Sequence, residues 1–221
     1  MEQIKIHKII RSKRRTVALV ISPDAALTVR APMRLPLDYI EKLVSKKSSW
    51  IKRKISDIQS RPKTRPKEFV DGEEFLYLGE AFRLKIVDEK QISIGEYLYF
   101  PRSMLLKAKE NLKEWYKSQI KQRIEERIAW YARQAGVDNM SIAITGAQKR
   151  WGSCANKSSL NFSWRLAMAP LEVIDCVLAH ELAHIKERNH SANFWCKVRA
   201  LIPDYKKHVS WLKANEHLLH I

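Results

Sequence analysis

Glycine is scarce: the 221-residue chain has six. None of them forms a Walker-type loop, so a glycine cradle for phosphates is excluded. The three cysteines, Cys154, Cys176 and Cys196, are odd in number and far apart. That pattern gives no disulfide framework. No apolar run approaches the length of a membrane span, and the start, Met1-Glu2-Gln3-Ile4-Lys5, has no signal-peptide core. The expectation is a cytoplasmic protein without a membrane partner. Low-complexity tracts and internal repeats are absent as well. Acidic residues are outnumbered, 24 Asp+Glu against 41 Lys+Arg, a formal charge of +17.

The basic excess is uneven. Residues 1–67 hold 18 Lys+Arg against 5 Asp+Glu, a net of +13, and the remainder holds 23 against 19, a net of +4. A field of this sign concentrates polyanions, so nucleic acid or a nucleotide is an expected partner of the N-terminal part. The plainer alternative is a solvated basic surface that aids solubility.

Chemistry concentrates at His180-Glu181-Leu182-Ala183-His184. Four helical residues turn the chain by about 400°, so the two imidazoles project from nearly one face, one turn apart. Glu181 falls about 100° round from His180, where a carboxylate can act as a base without being a ligand. This arrangement describes a zinc hydrolase. His190 would lie roughly 9 Å further along an unbroken helix, too far to share the ion. For it to join them the helix must stop and turn back. Asn189 is the expected left-handed residue at that turn, and Ser191 the expected cap of a new helix from Ala192.

These residues resemble the YgjP-like metallopeptidase family, related to the SprT and WLM zinc-peptidase-like proteins. The resemblance rests on Arg150-Trp151-Gly152-Ser153-Cys154, on Leu160-Asn161-Phe162-Ser163-Trp164-Arg165-Leu166, and on the His180 motif running to Asn189-His190-Ser191 and Phe194-Trp195. Glu187 stands where metzincins have glycine, which counts against that group. The resemblance is strong from about residue 100 onward and weaker before it. It implies a zincin-like α+β domain, one zinc ion on His180, His184 and His190, Glu181 as general base, and Arg150 and Trp151 lining the cleft. Arg150 and Tyr205 are the candidates for stabilising an oxyanion. A Cys154 thiolate on the metal would instead close a structural site; the favoured reading is a buried thiol on a strand. His7, His208, His217 and His220 have no ligand-like spacing.

Along the chain, Ile4–Ile10, Thr16–Ile21 and Ala26–Arg30 read as a small antiparallel sheet, with a turn at Ser22-Pro23-Asp24. Leu37 to Ile58 has a helical period with a basic outer face. Ser60 to Pro66 reads as a linker. Strands at Phe75–Leu78, Ala81–Val87, Gln91–Ile94 and Tyr97–Phe100 suggest a meander. A long amphipathic helix spans Ser103–Ala135 and is closed by Gly136. Met140–Ile144, Ala147–Cys154 and Leu160–Leu166 are further strands. Pro170 opens the metal helix, Pro203 ends the next, and Asp204 is an expected cap for the last. The expected division is residues 1–100, a basic sheet-and-helix region with the meander, and 101–221, the catalytic domain.

The leading expectation is a zinc-dependent peptidase acting on peptide or protein. Two alternatives remain: a metal-dependent phosphohydrolase of nucleoside triphosphates, and a non-catalytic nucleic-acid-binding protein with a structural metal.

Overall fold

The computed structural model describes residues 4–22, 24–60, 66–137, 140–156 and 158–221. By contact the chain divides into two compact units, Met1–Thr64 and Arg65–Ile221. The boundary expected from sequence, after residue 100, falls inside the second unit. The strands of residues 74–101 instead share one hydrophobic core with the metal helix, through Phe75, Leu84, Leu98 and Phe100. The expected linker falls mostly on residues 61–65, outside the described residues, as does Pro23 of the expected turn.

The first unit has three strands, β1 (Ile6–Ser12), β2 (Ala18–Ile21) and β3 (Leu27–Pro32), and two helices, α1 (Leu37–Lys46) and α2 (Ser48–Gln59). Its sheet is mixed, not antiparallel: β3 lies between the others, antiparallel to β2 and parallel to β1. Central placement suits β3, whose Leu27, Val29 and Ala31 are the most buried residues of the sheet. They pack with Ile40, Val44 and Ile51 of the helices. The single helix expected over Leu37–Ile58 is broken at Lys47, whose φ of −100° and ψ of 11° lie outside helical values.

The second unit opens with β4 (Glu74–Tyr77), β5 (Glu80–Val87), β6 (Ser93–Ile94) and β7 (Leu98–Pro101). Their order, β4-β5-β7-β6, is not a meander, because β7 inserts beside β5 and parallel to it. The inner place goes to the strand carrying the fully buried Leu98 and Phe100, and the two-residue β6 takes the edge. A 3-10 turn at Arg102–Lys107 leads into α3 (Ala108–Ala135), which Gly136 closes at φ 63° and ψ 49°. Its buried residues Ala108, Leu112, Tyr116, Ile120, Ile124, Ile128 and Ala132 recur every fourth position. Each step drifts about 40° from the last, so the stripe winds round the helix and successive turns meet different neighbours.

A second mixed sheet follows, β8 (Ser141–Thr145), β9 (Gly152–Asn156) and β10 (Ser159–Ser163), in the order β8-β10-β9. Then come α4 (Leu171–Lys186), α5 (Ala192–Leu201) and α6 (Tyr205–Asn215). Residues Val173 to Ala179 and Glu181 to Ala183 of α4 are buried. A helix apolar nearly all round is a central one, and α3, α5, α6 and β9 surround it. Its start is fixed by the β4–β5 turn, where Leu78 N and Gly79 N donate to Ala167 O and Met168 O at 2.8 and 3.1 Å. Gly79 is needed twice there. Its φ is +87°, and a Cβ would meet Pro170 Cγ at 2.6 Å. Asp204 does not cap α6 with its side chain; its carboxylate lies 3.2 Å from His208 Nε2. Among the described residues no helix is long and apolar enough to cross a membrane.

Candidate metal centre

The C-terminal half of α4 returns to the surface on one side, where it carries His180 and His184, both half-buried. The helix ends at Glu187, in extended geometry with φ −131° and ψ 100°. Asn189 does not take the expected left-handed conformation; among the described residues the positive-φ ones other than glycine are Ala25, Phe69 and Leu78. Extended backbone at Glu187 makes the reversal without it. Ser191 then caps α5, its Oγ accepting from Phe194 N at 3.3 Å. The reversal brings His190 back to the helix end, with its Nε2 3.1 Å from His180 Nε2.

Nitrogens of His180, His184 and His190 all lie within 4.8 Å of one another. Three nitrogens on one tetrahedral zinc stand about 3.4 Å apart, given Zn–N of about 2.0–2.1 Å. The cluster is near that spacing, and it contains no fourth protein ligand among the described residues. His184 Nδ1 lies 3.1 Å from the Glu187 carbonyl; by donating there it leaves Nε2 as the acceptor. Burial and the two neighbouring imidazoles push His180 down to about 4, and burial pushes His184 down too. Neutral rings are the form that binds a metal. The residues therefore fit a divalent ion of the zinc type.

Beneath the three rings lies Phe194, fully buried, with its centroid 4.9, 4.5 and 4.7 Å from those of His180, His184 and His190. Trp195 stacks on His190 at 5.7 Å. Glu181 is 5% exposed. Burial raises its carboxyl to about 7, against a backbone hydrogen bond at Cys154 and the charge of Arg150, which pull the other way. The opposite wall is β9, and a cleft of ≈ 530 Å³ between them is lined by Gly152 to Ala155, the three histidines, Glu181, Ile185 and Arg188.

The model of the YgjP-like metallopeptidase domain matches residues 15–215 of this chain. The chain belongs to that family. No curated protein matches it, and no solved structure does. A metal-dependent peptidase family accounts for a histidine cluster at the mouth of a cleft.

For a YgjP-like protein, the placement of the other expected site residues is informative. Arg150 is exposed and outside the cleft lining, although its charge acts on Glu181. Trp151 does not line the cleft either. It lies under the Arg165 guanidinium at 4.5 Å, and Arg165 donates to Leu219 O, Gln148 O and Glu216 O, tying the loop before β9 to the C-terminal tail. Tyr205 is buried, stacked on Trp195 at 5.1 Å, and outside the lining. Cys154 lines the cleft but is not part of the ligand cluster. Sequence reasoning missed Arg188, a loop cation without pattern, and the role of Phe194. The spacing of Phe194, Val198 and Leu201-Ile202 marks the inner face of α5, but not that Phe194 lies against the three histidines.

Proposed function

We propose that this YgjP-like protein is a zinc-dependent peptidase, with His180, His184 and His190 as the ligands and Glu181 as general base. When bound, the metal supplies Lewis acidity toward a scissile carbonyl and an attacking water. Glu181 takes the proton of that water and returns it to the departing amine. Its burial holds the carboxyl near neutrality, which suits a group that must both accept and release a proton. Of the two oxyanion donors expected from sequence, neither lines the cleft; the charge of Arg150 acts on Glu181, and Tyr205 is packed on Trp195.

One observation carries the choice of a peptide. The cleft wall is β9, the outer strand of its sheet, and an edge strand can take an extended chain laid beside Glu181 as an added strand. A nucleoside triphosphate gains nothing from a strand edge. Three histidine ligands also match a catalytic zinc site, since structural sites are closed by four.

The test is hydrolysis by the zinc-loaded full chain of an unfolded protein, such as reduced casein, against nucleoside triphosphates. Cleavage of the protein alone supports the reading. Release of phosphate with no peptide cleavage contradicts it.

A further inference from the structure

Both helices of the first unit repeat one surface pattern that the metal centre does not use. In α1, Tyr39 is followed by Lys42 and Lys46 at three and seven residues; in α2, Trp50 is followed by Arg53 and Lys54 at three and four. At about 100° per residue, each ring shares a helix face with its cations. Tyr39 is 53% exposed and Trp50 40%. Neither ring belongs to the hydrophobic cluster of this unit, whose buried helix members are Ile40, Val44 and Ile51. Lys47, at the break between the helices, adds another exposed cation. The acidic residues of the helices are Asp38, Glu41 and Asp57, and Asp57 alone falls on a ring's line, two turns beyond Trp50.

Here two large exposed aromatic rings stand among positive charges. We infer that these ring-and-cation surfaces of α1 and α2 bind single-stranded nucleic acid. The cations neutralise phosphates, and Tyr39 and Trp50 stack on unpaired bases, which every sequence offers. An anionic membrane fits less well. An amphipathic helix enters lipid by its apolar face, and the apolar faces of α1 and α2 are already spent on β3. Duplex keeps its bases stacked on one another and gives the rings nothing to hold.

The experiment is fluorescence anisotropy of the full chain with labelled 20-nucleotide oligo-dT and oligo-U. A 20-base-pair duplex, heparin and phosphatidylserine vesicles serve as competitors. The expected result is oligonucleotide binding that weakens by roughly 0.7 in log K per phosphate neutralised for each tenfold rise in salt. Tyr39→Ala/Trp50→Ala should weaken it by about tenfold or more, while leaving heparin binding unchanged. Lys46→Glu/Arg53→Glu should weaken both. Oligonucleotide binding insensitive to the ring substitutions, or equalled by duplex, heparin or vesicles, overturns the inference in favour of a surface that reads charge alone. No binding at 50 mM salt overturns it outright. Metal content and circular dichroism of each variant show that the fold is kept.

Discussion

A methyl group on Gly152 would stand 2.7 Å from Glu181 Oε1 and 2.6 Å from its Cγ. The glycine of the outer strand is therefore the space in which the carboxylate sits. Gly152→Ala meets the end of a flexible side chain and not backbone, so the fold can accommodate it by displacing the carboxylate. A displacement of about 1 Å at a reacting group lowers turnover by about 100-fold. The expected outcome is lost hydrolysis, with zinc content and melting temperature near those of wild type. Undiminished turnover would show that this approach does not set the position of Glu181.

His190 comes from beyond the helix and is the most exposed of the three histidines. Removing a partner that merely orients a ligand weakens metal affinity about 10- to 100-fold, and removing a ligand should exceed that. His190→Ala should release its zinc to a chelator that wild type withstands. Equal retention in that competition would take His190 out of the ligand set.

Arg127 of α3 and the 5%-exposed Asp175 of α4 form a bidentate pair inside the second unit. Arg127→Ala leaves a buried carboxylate without its charge partner. The guanidinium is partly exposed, so the loss should be about 2–3 kcal/mol, below that for a fully buried pair. For a chain of this size that is a fall of roughly 5–10 °C in melting temperature, measurable by calorimetry. A shift under about 2 °C would mean that water replaces the arginine.

Cys176 is buried and its thiol lies 3.7 Å from Tyr205 O, a carbonyl that can accept from the protonated form. Burial pushes it up to about 12, from 9.0. The unfolded thiol ionises first, so this contribution to stability is complete below about pH 9 and declines as pH rises toward 12. At pH 8 an aromatic disulfide reagent should label the exposed Cys196 readily and Cys176 only after denaturant is added. Labelling of both at one rate in native protein would contradict the buried placement.

The signals that read correctly were local ones. Ser191 caps α5, Gly136 closes α3 in the left-handed region, and the His180–His184 spacing needs only the helical repeat. Pairing between strands was not legible. Parallel partners such as β5 and β7 are chosen by which strand carries Leu98 and Phe100 into a core assembled from distant residues, and alternation looks the same at an edge or a centre. The break at Lys47 has neither glycine nor proline to mark it. Asn189 had the propensity for the turn after α4, but extended backbone at Glu187 met the same need. In the site, that Gly152 leaves its space to the Glu181 carboxylate required the strand and helix in three dimensions.

The central claim is that Glu181 acts on a substrate beside a metal held by three histidines. Its most direct test is zinc content and casein hydrolysis of Glu181→Gln against wild type, both purified without a histidine tag. The account predicts one zinc per chain in both proteins, with hydrolysis in wild type and at least a 100-fold loss in the variant. Equal hydrolysis by Glu181→Gln would contradict the account, because an amide cannot take a proton from water.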